Sequence, residues 1–275
     1  MNNIKQSISI RPTWLLFYSF LVLITTLCSC EQVIDIQIDE ADKKYVIEGN
    51  VSNLPGANAE VRISKTKTFN ESNVFSGVSG AVVTIQVNNG SVYTLQPVAA
   101  GIYRSSSFAG VPGSTYRLTV VINGSTFSSL SVMPGQLVSL DNITVENLNF
   151  GAINTKTVYP DYVDPSGKGN SYRFIQYANG DQVKKVFVQD DEISDGLRIN
   201  RPLLNANGDL KSGDTVQVDM LCIDNNVYKY WYSLDQASTG ENQNATPANP
   251  VSNIQGGALG YFSAHTVSSR TIILP

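Results

Sequence analysis

The sequence predicts an exported, mainly β protein with two β-rich modules and one short helix. Apolar and polar residues alternate along many short segments, and this period of two is typical of half-buried strands. Asn-Gly pairs follow several of these segments, and Asn-Gly favours the tight turns of β-hairpins. Apolar residues recur at helical spacing in a single segment, residues 226–236. The Asn-Gly pairs that carry this prediction are Asn89-Gly90, Asn123-Gly124 and Asn179-Gly180.

Residues 1–29 are predicted to be a lipoprotein signal peptide. Lys5 and Arg11 precede an uninterrupted apolar run over residues 14–27. This run is shorter than the ~20 residues that a membrane-spanning helix needs. A basic segment, an apolar segment and small residues before a cleavage point are the three parts of an export signal.

Cys30 is the predicted lipidation site. The run ends in Leu27-Cys28-Ser29-Cys30, which resembles a bacterial lipobox. In that motif the final cysteine becomes the first mature residue and carries diacylglycerol and an amide-linked acyl chain such as palmitate. Cys28 fits less well, because Thr25 stands where the motif has leucine. The alternatives are an uncleaved anchor and a secreted protein without lipid.

Residues 30–44 are predicted to be the lipidated N-terminus followed by a short tether or a first strand. Ile34, Ile36 and Ile38 alternate with polar residues, which favours the strand. If the segment does not pair with a sheet, it is a tether.

Residues 45–135 are predicted to form a β-sandwich of immunoglobulin-like or transthyretin-like type. Short strands with turn signals at intervals of about 8 to 12 residues are typical of such sandwiches. The predicted hairpins join 83–87 to 92–95 and 116–122 to 126–130. Pro134 and Gly135 interrupt the strand pattern, which places the module boundary there.

Residues 136–275 are predicted to form a second β-rich module. Asp224 or Asn225 is the predicted N-cap of its helix near 226–236. Gly256-Gly257 precede a last predicted strand pair around 261–274. The other predicted strands are 138–148, 155–159, 172–177, 183–188 and 215–223.

Charge and composition exclude some classes of partner. The chain has 19 basic and 23 acidic residues. The signal peptide holds two of the basic residues and none of the acidic ones, so the mature chain carries 17 against 23, a formal charge of −6. Nucleic-acid binding needs a clustered basic surface, so no nucleic-acid partner is predicted. A net negative charge is not attracted to anionic lipid either, so membrane attachment must come from the acyl chains at Cys30.

Few residues offer catalytic or metal chemistry, and no catalytic residue, cofactor or metal site is predicted. His265 is the only histidine, and alternation places it in a strand. Cys222 lies in an apolar stretch and is interpreted as a buried small side chain. The best cation candidates are acidic residues, for which a solvated loop is the favoured interpretation. They are Asp190, Asp191, Glu192 and Asp195, with Asp161 and Asp164 on another loop.

Aromatic residues are the remaining candidates for ligand or partner contacts. Tyr228, Tyr232 and Tyr261 could line a groove, since such rings combine a large contact area with a polar tip. Tyr228 and Tyr232 are one helical turn apart and are expected to reach solvent more than Trp231 does. Packing of the helix against a sheet is the favoured role of Trp231.

Six short segments carry a resemblance to a known family, and their order spans nearly the full length: 30–35, 45–49, 78–85, 101–104, 227–234 and 248–264. On these segments the chain resembles the Bacteroidetes lipoproteins grouped as domain of unknown function 4249. The resemblance implies an exported, outer-membrane lipoprotein that is often found alongside TonB-dependent transporters, and it implies no catalytic residues. Glu31 is the only acidic residue among the first four after Cys30, so no dense acidic run marks export to the cell surface, and the membrane face stays open.

The expected function is binding rather than catalysis. The first hypothesis is an accessory lipoprotein of a TonB-dependent outer-membrane transporter, with an unknown ligand. The alternatives are a structural or adhesion protein of the envelope and a hydrolase that uses carboxylates. A hydrolase is least favoured, because a lone His265 and few metal-ligand residues leave little catalytic chemistry.

Overall fold

The computed structural model describes residues 42–275, except 58, 69–70, 73, 106–107, 151–152, 206–209 and 240–248. The predicted signal peptide, the lipidation site Cys30 and the alternating segment at 33–39 lie outside the described residues. They stay predictions from the sequence.

The predicted fold class is confirmed: the described chain is mainly β, with fifteen strands and one helix. The strands are β1 (Tyr45–Ser52), β2 (Glu60–Lys65), β3 (Val82–Val87), β4 (Val92–Ala99), β5 (Ile102–Arg104), β6 (Thr115–Ile122), β7 (Ser125–Val132), β8 (Leu140–Phe150), β9 (Ile153–Val163), β10 (Ser171–Ala178), β11 (Asp181–Gln182), β12 (Phe187–Asp190), β13 (Arg198–Asn200), β14 (Thr215–Ile223) and β15 (Leu259–Ile273); the helix is α1 (Asn225–Thr239).

The larger sheet has the order β11-β10-β14-β15-β1-β2-β5-β4-β3-β6-β7, and β12 also pairs with β10. Inward side chains of β1, β2 and β5 meet those of β3, β4 and β6 in one core, together with part of β15. Alternation produces this packing, since successive strand residues point to opposite faces. In β6, Leu118 and Val120 are buried, whereas Arg117 before them and Val121 after them are exposed.

Two of the three predicted hairpin turns are confirmed as drawn from the sequence. Both residues have positive φ at 123–124 and at 179–180, as a type I′ turn requires. The first turn is shifted by one residue, because Asn88 and Asn89 hold the positive φ angles of 49° and 56°. Asparagine tolerates this conformation. Gly90 closes that turn, and its N–H donates to the carbonyl of the last residue of β3.

A second layer covers the other half of the large sheet. Strands β13, β9 and β8 form a three-stranded sheet in that order. Its Leu140, Val158 and Tyr162 pack against Phe174 of β10 and Met220 of β14 in a second core.

The predicted strand at 183–188 is interrupted. Strands β11 and β12 both pair with β10, and residues 183–186 between them are not part of a strand. Lys185 in this interruption reaches α1, where its Nζ lies 3.2 Å from Oδ1 of Asp235.

The predicted strand pair at 261–274 is wrong: β15 is one continuous strand of 15 residues. It contains no turn, because it changes partner instead of direction. Residues 259–265 pair in parallel with β1, and residues 266–273 pair antiparallel with β14. The same strand therefore belongs to both halves of the large sheet.

Helix α1 packs on the face of the large sheet opposite to the second layer. The carboxylate of Asp224 accepts hydrogen bonds from the N–H groups of Asn226 and Val227, at 2.9 and 3.0 Å, which confirms the predicted N-cap. Val227 and Trp231 join a third cluster with residues of β14 and β15. Within the described residues, no helix is long and apolar enough to cross a membrane.

Candidate functional site

A polar surface lies on the outer face of β1 and β2. In β1, Ile47 and Val51 point into the core, so Glu48, Asn50 and Ser52 point outward. The strand pairing extends this surface sideways in rows. Glu48 is the register partner of Arg62 on β2 and of Tyr261 on β15, Asn50 of Glu60 and Ser263, and Ser52 of His265.

A pocket of about 410 Å³ opens on this surface where it approaches α1. This volume lies within the ~300–1,000 Å³ range of small-molecule sites. Polar and charged residues supply most of its lining. They are Glu48, Asn50, Ser52, Glu60, Arg62, Arg173, Gln182, Tyr261 and His265, with Ile175 and Leu221 as apolar members.

Arg173 of β10 is the central charged group of the pocket. The carbon at the centre of its guanidinium lies 3.4 Å from the ring centre of Trp231, which makes a close cation–π stack. Burial lowers the pKa of Arg173, and a hydrogen bond with the hydroxyl of Tyr261 acts in the opposite direction. Among the described residues, no carboxylate lies within 4.0 Å of this guanidinium. Its charge is therefore not balanced by an ion pair within the described chain.

The other charges of this surface compensate one another. The carboxylate of Glu60 accepts hydrogen bonds from Arg62 at 2.7 Å and from Arg104 at 2.5 Å. Burial raises the pKa of Glu60, but the hydrogen bonds from these two arginines outweigh burial and hold that pKa below its ordinary value. Glu48 acts on Arg62 through its charge. Glu60 thus has two arginine partners, whereas Arg173 has no carboxylate partner among the described residues.

The floor of the pocket is held by neutral hydrogen bonds. Asn50 Nδ2 donates to the hydroxyl of Tyr261 at 3.2 Å, and Ser263 Oγ lies 2.9 Å from Nδ1 of His265. Burial lowers the pKa of His265 to about 3, and the charge of Arg173 adds to that effect. His265 is therefore neutral at physiological pH and places no second positive charge beside Arg173.

The structure separates the three tyrosines that the sequence nominated. Tyr261 is 6% exposed and lines the pocket. Tyr232 is 49% exposed, and its ring stacks on that of Tyr228 with centroids 5.8 Å apart. Burial and a hydrogen bond to Asp190 raise the pKa of Tyr228. Neither Tyr228 nor Tyr232 belongs to the pocket lining.

Arg173 was not nominated from the sequence. The sequence feature that could have identified it is a single arginine within the alternating strand Ser171–Ala178. Arg173 lies on the same face of this strand as Ile175 and Tyr177. A charged residue on an otherwise apolar strand face is unusual, because burying an unpaired charge is costly.

A second polar cluster joins two loops of the other half of the protein. Oxygens of Asp164, Asp191 and Asp195 lie within 4.8 Å of one another. Asp191 accepts hydrogen bonds from the N–H groups of Gly169 and Asn170, at 2.9 to 3.0 Å. The solvated-loop interpretation is wrong for Asp164 and Asp191, which are 1% and 3% exposed, because backbone donors and hydroxyl groups replace water there.

The remaining acidic candidates do not join this cluster. Asp161 forms an ion pair with Arg198 at 2.6 Å, and Glu192 is exposed. Oxygen ligands suit Ca²⁺, but the oxygens of Asp191 already accept hydrogen bonds that connect the two loops. The cluster therefore has a structural role.

Another cavity, of about 370 Å³, lies near Cys222 and the start of α1. Its one lining carboxylate, Asp224, is engaged by the helix N-terminus and by the hydroxyl of Ser131. Burial raises the pKa of the Cys222 thiol, so this thiol stays protonated. The pocket around Arg173 is therefore the stronger candidate for a ligand.

A family model described as "Domain of unknown function (DUF4249)" matches residues 31–271. The matched range includes every residue that lines the Arg173 pocket. The comparison with curated proteins gives no match.

Proposed function

The chain belongs to the DUF4249 family, and we propose that it is a ligand-binding lipoprotein of the bacterial cell envelope. In this proposal it serves as an accessory subunit of a TonB-dependent outer-membrane transporter and holds a small ligand in the Arg173 pocket. The observation that supports binding is Arg173 itself. A desolvated guanidinium stacked on Trp231, without a carboxylate partner in the described chain, lines a cavity of ligand size.

The protonation states in the pocket favour binding over hydrolysis. A general base works best when its pKa is close to the working pH, whereas the pKa of His265 is about 3. A carboxylic acid that donates a proton to a leaving group needs a raised pKa, whereas the pKa of Glu60 is lowered. These two groups suit hydrogen bonding to a ligand better than proton transfer.

The sequence before the described residues supports the membrane part of the proposal. Cys30 follows a lipobox-like segment, and each methylene of an attached acyl chain adds ~0.8 kcal/mol of membrane affinity. Fifteen positions separate Cys30 from Tyr45, where β1 begins, so the chain between them spans at most about 50 Å. That length keeps the pocket near the bilayer, where an outer-membrane transporter would hand over or receive a ligand.

Co-purification tests the transporter part. The protein carrying a C-terminal affinity tag is extracted from native membranes with a mild detergent, and co-purified proteins are identified by mass spectrometry. We expect one TonB-dependent transporter in stoichiometric amount, and its loss when Cys30→Ala releases the protein from membranes. Repeated recovery of the protein alone would reject the accessory role. Altered cell attachment or envelope integrity on deletion, with normal growth on every nutrient, would favour the structural alternative.

A further inference from the structure

We propose that the ligand of the Arg173 pocket is a small organic acid whose carboxylate binds Arg173 and whose hydroxyl groups bind the surrounding amide and hydroxyl side chains, as in a sugar acid. This inference rests on the proposed binding function and names its ligand class. It follows from the charge, the shape and the hydrogen-bonding groups of the pocket.

The unpaired charge of Arg173 calls for one negative group. Glu60 is bound by Arg62 and Arg104, and Glu48 lies beside Arg62 on the neighbouring strand. Among the described residues, neither these nor any other carboxylate lies within 4.0 Å of Arg173. Taking such a cation out of water is costly unless an anion approaches it, so an anionic ligand stabilises the pocket more than a neutral ligand does.

The geometry of Arg173 favours a carboxylate. A guanidinium presents its N–H donors in a planar fork that matches the two oxygens of a carboxylate. One face of the fork is covered by Trp231 at 3.4 Å, so an anion must approach in the guanidinium plane or from its other face. The stack also fixes the orientation of the guanidinium before the ligand arrives, which reduces the entropy lost on binding.

The rest of the lining favours hydroxyl groups on the ligand. Asn50, Ser52 and Gln182 offer groups that both donate and accept hydrogen bonds, and Glu48 offers an acceptor. A hydroxyl group also donates and accepts, so it can satisfy each of these side chains. A purely apolar acid would leave them without partners, and that costs binding affinity.

Trp231 provides a direct probe of this binding. The sequence has two tryptophans, Trp14 and Trp231, and Trp14 lies in the predicted signal peptide, so the mature lipoprotein keeps only the indole that stacks on Arg173. The mature protein, purified from membranes, is titrated in detergent with glucuronate, and its tryptophan emission is followed. The matched neutral probe is glucuronamide, which replaces only the carboxylate by an amide. Inorganic phosphate tests whether any oxyanion suffices.

We expect glucuronate to change the emission saturably, and glucuronamide to bind at least roughly 10- to 100-fold more weakly, the range expected for the loss of a charged hydrogen bond. Arg173→Met should remove glucuronate binding, and Arg173→Lys, which keeps the charge but not the fork, should weaken it. Arg117→Gln is the control, since Arg117 is an exposed arginine on the outer face of β6. Circular dichroism establishes that each variant is folded.

The probe comparison on the parent chain remains decisive even if the Arg173 variants do not fold. Equal binding of glucuronate and glucuronamide would overturn the acid assignment while leaving a ligand-binding pocket, and so would tight phosphate binding without glucuronate binding. No saturable change with glucuronate up to about 10 mM, well above the weakest useful Kd of ~1 mM, would also overturn it. Co-purification of the transporter is independent of all three results, so failure of the proposed function is recognised separately.

Discussion

Gly260→Ala is predicted to weaken the junction between the two halves of the large sheet. Gly260 stands near the start of β15, opposite Ile47 of β1 in the parallel pairing. A Cβ atom at this position would lie 2.1 Å from the carbonyl oxygen of Ile47 and 2.8 Å from its carbonyl carbon. These are backbone atoms, so the clash is relieved only if the two strands move apart.

The neighbouring Gly257 supplies a matched control. Both glycines have positive φ, 102° for Gly260 and 90° for Gly257, so alanine is strained at either position by about 1–3 kcal/mol. A Cβ at Gly257 meets no atom within 4 Å. Overpacking typically costs a further ~1–3 kcal/mol. Gly260→Ala should therefore lower the free energy of unfolding by about 2 kcal/mol more than Gly257→Ala does.

The assay is urea unfolding of both variants and the parent chain, followed by Trp231 emission and by circular dichroism. Typical proteins have unfolding free energies of ~5–15 kcal/mol, so a difference of this size is well within range. Equal losses for the two alanine variants, to within about 0.5 kcal/mol, would refute the close approach of β1 and β15. A loss confined to Gly257→Ala would refute it more strongly.

Three further predictions concern His265, Asp191 and Cys30. The pKa of His265 is about 3 in the folded protein and about 6.5 in the unfolded chain, so the unfolded chain takes up the proton first as the pH falls. The contribution of neutral His265 to the free energy of unfolding is therefore fully present above pH 6.5 and decreases below it. Between pH 7 and about pH 5.5 the free energy of unfolding of the wild type should fall by about 1 kcal/mol more than that of His265→Gln. Equal shifts of the urea midpoint in the two proteins between these pH values would contradict this. Asp191→Ala should cost about 1–3 kcal/mol, because it removes the buried carboxylate that accepts hydrogen bonds from the part-buried N–H groups of Gly169 and Asn170. Asp195→Ala on the exposed rim should cost under about 1 kcal/mol; equal thermal unfolding of the two variants would argue against the loop connection. Cys30→Ala should move the protein from the membrane fraction to the soluble fraction, and continued sedimentation with membranes would exclude lipid attachment at this residue.

Much of the fold could be predicted because local chemistry determines it. Strand β14 was predicted with the same bounds as observed, Thr215–Ile223, since its alternation is flanked by polar turns. Residue type and position narrowed the N-cap to Asp224 or Asn225, and the structure selects Asp224. The continuous β15 could not be predicted in this way. A change of strand partner leaves no mark in hydropathy, because both halves of β15 keep the same period of two.

The site could be predicted only in part, because it depends on long-range pairing. Tyr261 was nominated for its aromatic character, and it does line the pocket. Glu48 is distant from it in sequence, and only the register of β1 against β15 makes the two neighbours. The importance of Arg173 depends on what is absent around it among the described residues, and a sequence pattern cannot show the distance to the nearest carboxylate.

The pocket exists only when both halves of the sheet are assembled. Glu48 and Asn50 come from the first half, whereas Arg173 comes from β10 in the second half, which is separated from β1 by the two strands β14 and β15. Strand β15 connects them, since it contributes Phe262 and Ala264 to the first core and pairs with β14 through its second half. Any change that displaces β15 therefore alters the distance between Arg173 and the polar groups of β1. The stability of this junction and the affinity of the pocket should vary together, so that Gly260→Ala weakens ligand binding whereas Gly257→Ala leaves it close to that of the parent chain.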